Sequence, residues 1–173
     1  RPPASTLFPY TTLFRSSGRI LTGWCSAPPL PRMRCVSADD DYLRAARFVR
    51  DHSHTEDPIY VGTTRHDKIY INAVAFYYMA DRTPVTKWYE LHPGVQTRVS
   101  VQREIIESMK FTPPRFVVLD SRWDQIMEPN RSRFSSGVKL LDEYIGKHFH
   151  EIVRFGTVIV MEPLRGPHRP EAW

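Results

Sequence analysis

His66-Asp67 and Glu90-x-His92 are the residues whose types and spacing come nearest to chemistry. Imidazole beside carboxylate can act as an acid/base pair or supply two ligands to zinc or manganese. No third ligand is spaced to complete a metal site, so the sequence assigns none, and adjacent His and Asp on a loop ordinarily close turns. Arg65 and Asn72 flank the first pair and complete a polar set of Arg65, His66, Asp67, Asn72, Glu90 and His92. The loop Gly62–Lys68 follows an apolar stretch and invites comparison with a phosphate cradle. It lacks both G-x-x-x-x-G-K-[ST] and G-x-G-x-x-G, so no nucleotide or other cofactor is expected. Ser135-Ser136-Gly137 has no G-x-S-x-G context and reads as a helix cap. Asp81-Arg82 reads as a tie at a helix end. Tyr70, Phe76, Tyr77, Tyr78, Trp88 and Tyr89 form an aromatic group that reads mainly as core. No catalytic residue is assigned.

These residues need elements to hold them. Ser37 to Asp40 reads as a helix start, with Tyr42, Ala45, Ala46 and Val49 on one face to about His52. Ile59–Gly62 reads as a short buried strand. Ile71, Val74, Ala75, Tyr78 and Met79 follow helical spacing and end near Asp81. Pro84–Leu91 has strand-like composition. Thr97 is placed to cap a helix carrying Val101, Ile105 and Met109, which Pro113-Pro114 stops. Arg115–Leu119 is the clearest buried strand, with Val117, Val118 and Leu119 at the centre of the sheet. Val138, Leu141 and Ile145 mark a last helix. Ile152–Phe155 and Val158–Met161 flank Gly156-Thr157, which suits a type II′ turn. The order predicts an α/β fold: a layered, mostly parallel sheet flanked by helices, with a C-terminal antiparallel β-hairpin. The polar set then falls at the carboxyl ends of strands, where open sheets place ligand sites.

Residues 1–36 are set apart as a leader. Thr6–Ser16 (TLFPYTTLFRS) matches one translation of a common short-read sequencing adapter and is treated as an artefact. Residues 37–163 form the expected domain, and 164–173 a frayed tail. The formal charge of the chain is +5. Between Asp39 and Pro163, however, 17 Lys+Arg face 18 Asp+Glu, a net of −1. The basic excess lies in the tails, no basic stripe marks the domain, and nucleic acid is not an expected partner. Cys25 and Cys35 both precede the domain, so no disulfide framework or zinc spacing is present in it. The apolar runs fall far short of the ~20 residues that span a bilayer.

From about Ala38 to Met161 the chain resembles the C-terminal soluble region of bacterial polyprenyl-phosphate-sugar glycosyltransferases. This broad group of membrane enzymes includes dolichyl-phosphate-mannose protein mannosyltransferase-like proteins. Ile59-Tyr60-Val61-Gly62 with His66-Asp67, Asn72, Asp81-Arg82-x-Pro84-x-Thr86 and Glu90-Leu91-His92-Pro93-Gly94 carry the likeness. Further on it continues through Gln102-Arg103, Val117-Val118-Leu119, Glu128-Pro129-Asn130 and Leu141-Asp142-x-Tyr144-Ile145. None of these is a catalytic signature. The resemblance implies a non-catalytic domain on the extracytoplasmic face of a membrane-anchored enzyme. Its implied partners are an N-terminal transmembrane region of the same protein and a lipid-linked sugar or its acceptor. A periplasmic interaction domain and a stand-alone α/β enzyme are the alternative classes.

Overall fold

The computed structural model describes residues 39–164. The expectations for residues 1–36 and for the tail beyond Leu164 lie outside the described residues. Helix α1 (Asp40–Asp51) starts at Asp39, whose carboxylate accepts from the Asp41 amide at 3.0 Å, and it buries Tyr42, Ala45, Ala46 and Val49 as its spacing predicts. Strand β1 (Ile59–Thr63) follows, then a short helix α2 (Ala75–Ala80), helix α3 (Val99–Phe111) and strand β2 (Phe116–Asp120). A 3₁₀ turn (Arg131–Arg133), helix α4 (Leu140–His148) and the hairpin β3 (Phe149–Phe155) and β4 (Val158–Pro163) complete the fold. Among the described residues no helix is long and apolar enough to cross a membrane.

The four strands form one sheet in the order β1-β2-β4-β3. β1 and β2 run parallel, with Ile59 opposite Phe116 and Thr63 opposite Asp120. β4 returns antiparallel beside β2, and β3 closes the other edge. The α/β class, the flanking helices and the C-terminal hairpin are as expected. The sheet is mixed, because the hairpin contributes an inner strand as well as an edge. β1 and β2 are buried along their whole length. Alternation sends Tyr60, Val117, Leu119 and Ile159 to the face packed by Val101, Ile105 and Met109 of α3 and Leu141 and Ile145 of α4. α1 packs on β3 and β4, and α2 on β1. Val118 is 1% exposed on a strand with neighbours on both sides, which is where a run buried on both faces belongs.

Gly156 and Thr157 form the two-residue turn between β3 and β4. Gly156 has φ +54°, while Thr157 is not left-handed, which fits a II′ turn. A Cβ on Gly156 would also meet the Asp41 carboxylate, which can swing aside, so it is the left-handed backbone that calls for glycine here.

Several local expectations differ from what forms. Pro84–Leu91 is not a strand; it retains one parallel bridge, Ile59 to Pro84, made through Ile59 N–H to Thr83 O and Val85 N–H to Ile59 O, both 2.9 Å. Pro84 has no N–H for a ladder, and the Thr86 hydroxyl turns the chain by accepting from the Trp88 amide at 3.2 Å. α2 begins at Ala75 rather than near Ile71, which is 45% exposed, because the Asn72 side chain is engaged in bonding neighbouring backbone. Thr97 does not cap α3: the N-cap is Arg98 and makes no side-chain cap bond. Ser135 and Ser136 do not cap α4, whose N-cap is Lys139; they serve the loop before it. Arg82 does tie the end of α2, donating to Ala80 O, Asp81 O, Arg50 O and Ser53.

Candidate functional site

At the carboxyl end of β1 the chain folds back on itself, and Gly62 makes that possible. A Cβ there would lie 2.6 Å from Tyr60 Cε1 and 2.7 Å from His66 Nε2. The missing side chain lets the His66 ring settle onto Tyr60. His66 is completely buried. Its Nδ1 lies 2.7 Å from Asp142 Oδ1, and its Nε2 lies 2.8 Å from Tyr60 Oη. A carboxylate only accepts, so Nδ1 carries the proton, and in the neutral ring Nε2 accepts from the tyrosine. Burial holds the Tyr60 hydroxyl well above its ordinary pKa and so keeps it a donor. The His66 amide donates to both Asp142 oxygens at 3.1 Å, and the His66 carbonyl accepts from Gln102 Nε2 at 2.9 Å. Gln102 also donates to Val138 O and accepts from the Leu141 amide, fastening α4 to α3.

Asp67 is the next tie. Arg65 grips it with two bonds, from Nε at 3.0 Å and from a terminal nitrogen at 2.9 Å. Ser135 Oγ donates to the same carboxylate, and the Asp67 carbonyl accepts from the Ser136 amide at 2.8 Å. The Arg65 hydrogen bonds, with help from Ser135, lower the Asp67 pKa to about 2. The same pairing raises the pKa of Arg65. Asn72 spans two segments: its Nδ2 donates to Val61 O at 3.1 Å and Tyr89 O at 2.8 Å, and its Oδ1 accepts from the Leu91 amide at 2.9 Å. Buried Gln96 closes the following turn, accepting from the His92 amide and donating to Glu90 O.

The six expected residues therefore separate. His66, Asp67 and Asn72 are buried ties; Arg65 stands at the surface edge of Asp67; Glu90 and His92 lie on the surface, 3.6 Å apart. Among the described residues no hydrogen bond or ion pair joins His66 or Asp67 to Glu90 or His92. Asn72 links the two loops through backbone alone. Among the described residues, no three His, Cys, Asp or Glu side chains are grouped to hold a metal ion. The one buried side-chain polar atom without a partner among them is Thr157 Oγ1, in the hairpin turn.

No protein-family model matches the chain, and no curated protein matches it. Among solved structures it is similar to the C-terminal globular domain of an oligosaccharyltransferase from Archaeoglobus fulgidus. The identity is 12% and the TM-score 0.40, over 74% of this chain and 99% of that one.

Four participants were not among the expected site residues: Tyr60, Gln102, Asp142 and Asp124. Gln102 had a legible signal, a glutamine on the apolar face of a helix beside Val101, Ile105 and Ile106. Asp142 meets His66 across 76 residues of sequence, which no local pattern announces. Asp124 accepts from Thr64 Oγ1 where the loops after β1 and β2 meet, and desolvation raises its pKa. Asp120 at the end of β2 is likewise committed, accepting from Tyr42 Oη and from the Arg122 amide.

A Tyr–His–Asp chain in an open cleft would be a proton relay. Here Tyr60 and His66 are sealed from solvent, only Asp142 is partly exposed, and their polar atoms are occupied by one another and by backbone. What the arrangement does is hold the loop after β1, the start of α4 and the flank of α3 in one register.

Proposed function

We propose that this chain is the non-catalytic, extracytoplasmic C-terminal domain of a membrane glycosyltransferase that draws its sugar from a lipid-phosphate donor. One observation carries the reading: several of the polar residues through which the sequence resembles that family serve the fold as ties, all but one of them buried. His66, Asp67, Asn72, Arg82, Gln102 and Asp142 each hold backbone or a partner side chain. Such residues fix loop shape and do not present a reactive atom. The domain then acts by form, setting loops beside the transmembrane region and the lipid-linked sugar or acceptor held there.

The test pairs the purified chain with a polyprenyl-phosphate sugar and an acceptor. No transfer is expected from the chain alone. Joined to its transmembrane region, the enzyme is expected to lose activity on His66→Ala only in step with loss of folded protein. Turnover by the isolated chain that disappears in His66→Ala or Glu90→Gln would overturn the reading.

A further inference from the structure

We propose that the segment Arg131–Ser136, with the neighbouring turn at Gly94–Arg98, is a docking surface for anionic phospholipid headgroups. Between them lies a groove of 460 Å³, walled by Thr97, Arg131, Phe134 and Ser136 among others. Phe134 is 62% exposed, a large apolar ring turned to solvent. The Arg133 guanidinium lies over that ring, 4.8 Å from its centre. In the neighbouring turn Arg98 Nε donates to Gly94 O at 2.8 Å.

Arg44, Arg65, Arg115, Arg122 and Arg154 each meet a carboxylate. Among the described residues Arg98, Arg131 and Arg133 make no ion pair, as is also true of Arg103, Lys139 and Lys147, and only Arg131 and Arg133 flank an exposed aromatic ring here. Arg131 and Arg133, without carboxylate partners and beside the exposed Phe134 ring, match a surface that offers phosphates above an apolar layer. A phosphate takes two N–H bonds from a guanidinium, while the ring reaches the acyl boundary. The segment is also held ready. Ser135 Oγ and the Ser136 amide both bond Asp67, so docking does not require the loop to be ordered first. The buried tie at Asp67 thereby gains a purpose, the presentation of this edge.

The inference goes beyond the proposed function and can fail independently of it. The experiment is sedimentation of the full chain with phosphatidylglycerol-containing vesicles and with pure phosphatidylcholine vesicles. Binding is expected to the first alone and to weaken with salt. Arg131→Glu with Arg133→Glu is expected to lower partitioning by about tenfold or more, given the attraction of each cation to an anionic leaflet. Phe134→Ser is expected to lower it with the fold intact by circular dichroism. The tail arginines Arg165 and Arg169 provide the control, since Arg165→Glu with Arg169→Glu removes the same charge elsewhere. The proposal is overturned by absent vesicle binding, or by tail variants that weaken it as much as loop variants do. It is equally overturned if a soluble poly-glutamate binds the wild type as well as the vesicles do, which would assign the face to an acidic protein segment.

Discussion

In the His66–Asp142 pair the nitrogen and oxygen are 2.7 Å apart and the ring is sealed from solvent; in the Glu90–His92 pair they are 3.6 Å apart, with more than half of each side chain exposed. Both are histidine–carboxylate pairs, the first joined across 76 residues of sequence and the second across two. The first is enclosed by Tyr60, Gln102 and two backbone groups, so losing one member strands the others. The second is surrounded by water, which replaces either partner. An exposed ion pair contributes about 0–1 kcal/mol, whereas a buried polar group left unpaired costs about 1–3 kcal/mol. Chemical likeness in the sequence thus says little about what a pair does; enclosure decides.

The largest effect is expected from His66→Ala. It empties a buried site and leaves the Tyr60 hydroxyl, Asp142 and their neighbours unmatched, for a loss of about 3 kcal/mol or more in urea unfolding. Gly62→Ala reaches the same ring from the other side. Its new methyl must displace Tyr60 or His66, at about 1–3 kcal/mol, and it should be partly relieved when His66 is already alanine. Asp67→Asn should show its effect through pH. The folded pKa of about 2 lies below the ordinary 3.8, so the wild-type carboxylate contributes stability above pH 4 and loses it as pH falls toward 2. The variant should be less stable at neutral pH, and its acid unfolding should be flatter across that window. Glu90→Gln with His92→Ala should be the smallest, within about 0.5 kcal/mol of the wild type. A large loss there would end the contrast between the two pairs.

Much of the fold was legible because local patterns carried it. The stripe Tyr42, Ala45, Ala46, Val49 gives α1, the run Phe116–Leu119 gives an inner strand, and Gly156-Thr157 gives the hairpin. The misread segments are those where a side chain competes for backbone. Asn72 delays α2, Thr86 turns the chain, and the serines at 135 and 136 bond Asp67 and their own loop. The site was legible only in part. Loop residues near strand ends could be singled out by type, but nothing local distinguishes buried His66 from exposed His92. Their difference comes from Asp142 and Gln102, supplied by helices 76 and 36 residues further along the chain. Folding brings those partners to one histidine and not to the other.

Two double-mutant cycles, measured side by side by urea unfolding, put this contrast to its most direct test. One combines His66→Ala with Asp142→Ala; the other combines Glu90→Gln with His92→Ala. A coupling of about 1–3 kcal/mol is expected between His66 and Asp142, with almost none between Glu90 and His92. Singles at His66 and Asp142 that leave stability unchanged, with no coupling between them, would contradict a structural role for the buried pair and return His66 to the list of reactive groups.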